Sequence, residues 1–212
     1  MPSSGSRAAQ GASDRGGQDA LAAYRGQRNL RRSGEPAGGR RGQRRKPTFV
    51  VQQHSARTMH YDFRLEADGV LKSWSVPKGP SLDPAEKRLA VPTEDHPLDY
   101  EKFEGVIPAG GYGAGPVIVW DTGTYENRTV DSSGHPVDVA DAIGRGHVSF
   151  DLHGQKLRGG FSLTRFRSGR QPGWLLVKRD DEFASRQGDL ERDQPQSVRS
   201  GKDIGQVGEE RS

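Results

Sequence analysis

Gln52 to Gly69 reads QQHSARTMHYDFRLEADG. From His60 to Glu66 polar and apolar side chains alternate: Tyr61, Phe63 and Leu65 against His60, Asp62, Arg64 and Glu66. Successive side chains on a strand point to opposite faces, so the alternation predicts a strand with one apolar and one polar face. Asp68-Gly69 then predicts a tight turn into Leu71–Val76 (LKSWSV), and hence a hairpin. Outward from this hairpin the same grammar repeats. Thr48–Gln53, Leu89–Val91, Pro116–Trp120, Gly123–Tyr125, His147–Leu152, Phe161–Phe166 and Trp174–Lys178 are short, rich in β-branched or aromatic residues, and punctuated by Gly, Pro or Asp. Only Val137–Ile143 reads as helix in this stretch. Eight or more short strands predict an all-β barrel or sandwich.

The 212 residues carry 32 basic and 28 acidic side chains, a net charge of +4. That average conceals three regions. Residues 1–46 hold 11 basic and 3 acidic residues, 47–179 hold 16 of each, and 180–212 hold 5 basic and 9 acidic. All six histidines and all three tryptophans lie in the neutral middle, which predicts one folded domain flanked by two charged tails. The expected plan is a disordered tail over 1–20, a flexible basic arm over 21–46, a barrel over 47–180 and an acidic disordered tail over 181–212. Within the arm, Leu21–Arg31 has helical spacing, and Gly34, Pro36, Gly38 and Gly39 break it. The absence of cysteine excludes a disulfide scaffold, a zinc ribbon and a thiol nucleophile. No apolar run approaches the roughly 20 residues that span a bilayer, and the first residues lack the apolar segment of a secretory signal. The expected location is therefore cytoplasmic, or nucleoid-associated, with no membrane partner.

The polar face of the His60–Glu66 strand sets an imidazole, a carboxylate and a guanidinium in a row, each about 6.6 Å from the next. Such a row can supply a metal ligand, an acid or base and an anion clamp. It is equally the pattern of a solvated face with an Asp–Arg pair. His54 precedes the strand and His96 follows in EDHPLDY (Glu94–Tyr100). Three histidines and an aspartate within 43 residues suggest a site of two His and one carboxylate, suited to Mn, Fe or Zn. His135, His147 and His153 have no such neighbours and read as structural. Lys78 and Arg88 lie close in sequence to the His96 segment and suit a phosphate if they face the same cavity. The basic arm has the charge of a nucleic-acid footprint. The Gly110–Gly115 run lacks the Gly-Lys-Ser/Thr ending of a P-loop and reads as a hairpin connection.

Taken in order, several of these segments carry a likeness. They are His54 through Glu66, Ser73-Trp74-Ser75-Val76-Pro77-Lys78-Gly79-Pro80, Glu94-Asp95-His96-Pro97-Leu98-Asp99-Tyr100, Phe103-Glu104-Gly105, Ile107-Pro108, Gly111-Tyr112-Gly113, Trp120-Asp121, Gly123-Thr124-Tyr125-Glu126 and Trp174–Lys178. Together the chain resembles the 3′-phosphoesterase domain of bacterial DNA ligase D, the end-joining ligase, over about residues 21–180. Nothing resembles the polymerase or ligase modules, so a stand-alone form is expected. The resemblance implies a small closed or nearly closed β-barrel of about eight strands. It implies manganese-dependent removal of 3′-terminal ribonucleosides and 3′-phosphates from primer ends, leaving a 3′-hydroxyl. By position it implies His54, Asp62 and His96 as metal ligands, and His60, Arg64 and Tyr100 around the scissile phosphate. Gln52, Lys78, Arg88 and Glu94 match supporting positions, as do Arg28 and Glu35 of the arm. Asn29 stands where the family has an acidic residue, which bears on the phosphodiesterase step if the arm assists it. The implied partners are DNA primer–template 3′ ends, with a separate ligase, polymerase and end-binding protein.

Two rival readings belong to other classes. A non-haem Fe(II) oxygenase would use His60, Asp62 and His96 as its facial triad. A non-enzymatic nucleic-acid-binding barrel would use the basic arm and exposed aromatics, and would need no metal.

Overall fold

The computed structural model describes residues 20–38, 46–170 and 172–210. Residues 1–19 of the tail expected over 1–20, and residues 39–45 of the arm expected over 21–46, lie outside the described residues. Two short helices open the described chain, α1 (Ala22–Gly26) and α2 (Leu30–Ser33). The strands follow: β1 (Thr48–Ser55), β2 (Met59–Ala67), β3 (Val70–Val76), β4 (Lys87–Pro92) and the two-residue β5 (His96–Pro97). A 3₁₀ turn (Leu98–Lys102), β6 (Gly105–Ile107) and the long β7 (Gly115–Asn127) come next. Helix α3 (Val139–Arg145), β8 (His147–Gly154), β9 (Arg158–Arg167) and β10 (Gly173–Lys178) complete the barrel, and α4 (Leu190–Asp193) and α5 (Ile204–Glu209) close the chain.

Every pairing between named strands is antiparallel. The order β1-β2-β3-β4-β10-β9-β8-β7 returns to β1 through a β1–β7 ladder, which closes an eight-stranded barrel and removes its free edges. The predicted Asp68-Gly69 turn joins β2 to β3, with φ of 50° and 75° at its two residues. Positive φ at both positions is the type I′ signature that matches the twist of a hairpin. The predicted strands Pro116–Trp120 and Gly123–Tyr125 are one strand, β7. Gly123 does not turn the chain there. A Cβ at that position would lie 2.1 Å from the His153 carbonyl oxygen, so glycine lets β8 approach.

The interior is a single apolar cluster fed by all eight barrel strands, including Phe49, Phe63, Trp74, Ala90, Trp120, Phe150, Leu163 and Trp174. An eight-stranded barrel is just wide enough to be filled this way. Each such side chain removed from water contributes about 1.5–3 kcal/mol. Tyr61, Phe63 and Leu65 point inward, so His60, Asp62 and Arg64 lie on the outer surface, as the alternation requires. That outer surface is itself covered. A second cluster, Tyr24, Val50, Leu71, Tyr100 and Val119, packs the N-terminal arm and the 3₁₀ turn against the outside of β1, β3 and β7.

The segment after β10 corrects the expectation of a disordered tail over 181–212. Its described residues, 181–210, fold back on the barrel. Trp120 Nε1 donates to the Gln194 carbonyl at 2.9 Å, and Val198 N–H to the Val119 carbonyl at 3.0 Å. Val207 is buried. The arm is likewise a cover rather than a loose extension, since Tyr24 is wholly buried and its hydroxyl donates to the Pro36 carbonyl at 2.7 Å.

Candidate metal centre and anion cleft

The β1–β2 register sets His54 opposite His60 and Gln52 opposite Asp62. His60 and Asp62 share the outer face, so the pairing gathers His54, His60 and Asp62. One donor atom from each lies within 4.8 Å of the others. His54 Nε2 lies 2.7 Å from the Gly113 carbonyl oxygen, and His60 Nδ1 lies 3.0 Å from that of Thr58. A carbonyl oxygen only accepts, so each of these nitrogens carries the hydrogen. The lone pairs then sit on His54 Nδ1 and His60 Nε2, which are 3.8 Å and 3.7 Å from the Asp62 carboxylate. Those gaps are too wide for hydrogen bonds. They suit donors sharing one divalent ion, because ligands about 2.0–2.2 Å from a common centre stand roughly 3–4 Å apart. Histidine ligands held from behind by carbonyls are the usual support of such a site. Burial opposes ionisation of Asp62, but Arg64, then His54 and His60, outweigh it and hold the carboxyl well below its usual range. The cluster can bind a metal as an anionic, pre-oriented donor set.

Beside it lies a cleft of about 240 Å³, lined by Arg28, Arg64, His96, Tyr100 and Tyr112 together with the His-His-Asp group. Arg64 is buried and splayed among three acceptors: Asp62 Oδ2 at 3.0 Å, Ser73 Oγ at 2.8 Å and Gln52 Oε1 at 3.0 Å. Gln52 turns its amide the other way, donating to the carbonyls of Tyr100 and Phe103 at 3.1 and 2.9 Å. It thereby ties the guanidinium to the 3₁₀ turn. The Tyr100 hydroxyl donates to Glu35 at 3.0 Å, and Arg28 joins Glu35 at 3.0 Å to Glu94 at 2.7 Å. His96 packs between the rings of Tyr24 and Tyr100. Its Nδ1 lies 2.9 Å from both the Glu94 carbonyl oxygen and Arg64 Nη1, and its Nε2 faces Arg28 Nη2 at 3.2 Å. Burial first, then Arg64 and Arg28, push the His96 pKa well below its ordinary value, so the imidazole is neutral. Burial, then Glu35, pushes the Tyr100 hydroxyl up.

The ligand set implied by resemblance, His54, Asp62 and His96, is therefore not the set the fold gathers. His60 takes the third place, because it is the cross-strand partner of His54, while His96 faces two guanidiniums. The oxygenase triad of His60, Asp62 and His96 is not assembled either. Arg28 and Glu94 line the cleft, whereas Gln52 and Glu35 sit behind it, bonded to Arg64 and to Arg28 and Tyr100. Lys78 and Arg88 do not line it. Arg88 points toward a different cleft of about 360 Å³ at the barrel end, beside Glu86 and Glu191, and donates to the Lys78 carbonyl at 3.0 Å. Asn29 is exposed and makes no capping bond to α2. The sequence reading missed Ser73 as the partner of Arg64, Tyr24 as the wall of His96, and Tyr112 at the mouth. Ser73 was legible by parity, since Ser73 and Ser75 alternate with Trp74.

A closed barrel with a metal-competent His-His-Asp group on its outer face, beside two buried guanidiniums, defines a site for an anion next to a divalent ion. Residues 52–165 match the DNA Ligase D 3′-phosphoesterase domain, more than half of the chain, and the chain belongs to that family. It is 49% identical over 187 residues to the multifunctional non-homologous end joining protein LigD of Pseudomonas aeruginosa, an alignment covering 85% of this chain and 21% of that protein. It is 45% identical over 135 residues to the multifunctional non-homologous end joining DNA repair protein LigD of Mycobacterium tuberculosis, covering 64% of this chain and 17% of that one. With the LigD of Mycolicibacterium smegmatis the identity is 40% over 178 residues, 81% of this chain and 22% of the relative. The chain thus spans about a fifth of the length of the curated relatives it matches.

Proposed function

We propose that the protein is a metal-dependent DNA 3′-end-processing phosphoesterase, removing 3′-terminal ribonucleosides and 3′-phosphates from primer ends to leave a 3′-hydroxyl. The observation that carries this reading is the His54–His60–Asp62 group within 4.8 Å, set beside Arg64 and His96 in one cleft. Family membership supports the phosphoester chemistry, and the relatives' end-joining names support DNA ends as the substrate. A separate ligase, polymerase and end-binding protein are the partners this role calls for, in the cytoplasm or at the nucleoid.

The donor set of two imidazoles and a carboxylate fits manganese, as it fits iron or zinc. When bound, the ion supplies Lewis acidity toward a phosphoryl oxygen. The chain's own residues do the rest. A guanidinium has five N–H groups; those of Arg64 bonded to Asp62, Ser73 and Gln52 account for three, and the second Nη1 hydrogen faces His96 Nδ1 at 2.9 Å. The remaining Nη2 hydrogen is available to a non-bridging oxygen, where charge grows in the transition state. Arg28 adds a second positive charge, held in place by Glu35 and Glu94. His96, neutral and clamped between two tyrosines, offers an Nε2 lone pair to a proton or to a protonated phosphate oxygen.

The test offers a primer–template ending in a 3′-ribonucleotide or a 3′-phosphate, with and without manganese, to the intact chain and to His54→Ala, His60→Ala and His96→Ala. The expected product is a 3′-hydroxyl end, formed only with a divalent ion. His54→Ala and His60→Ala should lose manganese binding, read by the ion's paramagnetic resonance, together with activity. His96→Ala should keep the ion and lose activity by a hundredfold or more, about 3 kcal/mol of transition-state stabilisation. No product from the intact chain with any divalent ion overturns the reading. Function that survives chelation would favour the binding-only barrel.

A further inference from the structure

We propose that Tyr112 is the stacking platform for the base of the terminal nucleoside, so that it separates the two substrates of the site. This rests on the phosphoesterase reading and goes beyond it by assigning a residue to one substrate.

Tyr112 is 51% exposed, yet it lines the cleft that holds His54, Asp62, Arg64 and His96. It belongs to neither apolar cluster of the fold. Its ring instead lies against a cation: the Arg28 guanidinium is 5.0 Å from the Tyr112 centroid and 4.3 Å from that of Tyr24. The result is a Tyr–Arg–Tyr stack whose inner ring is wholly buried and whose outer ring is half in solvent. The loop that carries Tyr112 is fixed to the metal group. Gly113 accepts the His54 Nε2 hydrogen at 2.7 Å, and Gly111 and Ala114 close turns onto Pro108 and Gly111 at 3.1 and 3.3 Å. Gly110 and Gly113 have φ of +79° and +69°, which residues with a Cβ rarely adopt. A Cβ at Gly113 would also press on the His54 ring at 3.3 Å. The loop that carries the ring is therefore tied to one of the metal donors, and the ring lines the cleft while half exposed to solvent.

A strand that ends in a nucleoside presents a flat base one ribose away from the scissile phosphorus. A strand that ends in a phosphate presents nothing on that side. Aromatic rings accept any base, because every base has a π-face. The base on the 5′ side of the phosphorus is paired and stacked in the duplex. The terminal base has only one neighbour and leaves its stack at the smallest cost. A lone half-exposed ring beside the phosphate position suits the terminal base.

The experiment measures kcat/KM of the full chain on three primer–templates: one ending in a ribonucleoside, one in an abasic ribose and one in a 3′-phosphate. Tyr112→Ala should change the ratio of ribonucleoside to 3′-phosphate activity by about tenfold or more, within the range that stacking of one base supports. The loss should appear mainly in KM and be absent from the ratio of abasic ribose to 3′-phosphate. Tyr112→Phe, which keeps the ring, should restore the ratio. Equal losses on all three substrates, or a Tyr112→Phe variant as impaired as Tyr112→Ala, overturn the proposal while leaving the phosphoesterase reading intact. Activity of the unmodified chain on none of them overturns both.

Discussion

The two ends of the chain carry opposite net charge, are otherwise alike, and behave differently in the fold. Each is polar, charged and poor in large apolar residues. The N-terminal arm enters the site itself. Arg28 and Glu35 bury their side chains to 6% and 1% exposure, and Glu94, the third member of the ion network, to 9%. The C-terminal segment stops one layer short. Ser197 donates to Glu104 at 2.6 Å, Ser200 also bonds Glu104, Arg199 bonds the Lys102 carbonyl, and Val198 joins the cluster around Tyr100. Glu104 in turn accepts Val119 N–H at 3.0 Å. One end therefore supplies charge to the cleft, and the other braces the 3₁₀ turn that carries Tyr100. A buried ion network is brittle when one member is lost, whereas bonds to backbone and exposed side chains fail gradually.

The sharpest way to break this contrast is Arg28→Met. It leaves Glu35 and Glu94 as buried carboxylates without their cation, a loss of about 3–5 kcal/mol in comparable buried pairs. The expected outcome is a large fall in thermal midpoint and near-complete loss of turnover. The triple variant with Glu35→Gln and Glu94→Gln should recover most of the midpoint and none of the turnover. If turnover returned with stability, Arg28 would be a strut and not part of the site.

The counterpart at the other end is Glu104→Ala. It strips the acceptor from Val119 N–H and from two serines, with an expected cost of about 1–3 kcal/mol in denaturant unfolding. Because the effect reaches Tyr100 indirectly, through the 3₁₀ turn and the packing of Val119 and Val198, turnover should fall roughly severalfold, well short of the Arg28 effect. Manganese binding should not change, since the His-His-Asp group stands on β1 and β2. A loss of ion binding in this variant would show that the two ends are not separable.

The same contrast explains what could be read in advance. The barrel was legible because each strand announces itself by alternation, and Tyr61, Phe63 and Leu65 against His60, Asp62 and Arg64 fixed which face would be polar. What alternation cannot supply is partnership. Ending the first strand at Gln53 left His54 in a loop. The observed strand runs to Ser55, and that extension sets His54 opposite His60. The Ala56-Arg57-Thr58 turn contains no glycine or proline to mark the register. The covers were illegible for a different reason. Residues 181–210 attach through Gln194, Ser197 and Val198 to backbone groups and to Lys156 and Glu104, so hydrophobic patterning carries almost no trace of them. Lys78 and Arg88 were close to His96 in sequence, but the β3–β4 connection carries them to the barrel end.

The smallest effect lies at that barrel end, where the C-terminal segment brings a carboxylate against the barrel. Glu191 lines the cleft with Arg88, Glu86 and Asp189, and its Oε1 is buried without a hydrogen-bond partner. Burial raises its pKa to about 7; Arg88 opposes the rise, Asp189 adds to it, the nearby Tyr61 hydroxyl opposes it and Glu86 adds to it. A carboxyl that holds its proton more tightly when folded binds more protons in the native state between its ordinary value near 4.5 and 7. Stability must then fall as pH rises through that window. Glu191→Gln removes the titration, so its thermal midpoint should exceed that of the unmodified chain by about a degree or two at pH 8 and match it at pH 4. Turnover on a 3′-phosphate should be insensitive to the change, because this residue lies outside the His-His-Asp cleft. A midpoint difference independent of pH would place the carboxylate in solvent, and would mean that the C-terminal segment does not seal the barrel end.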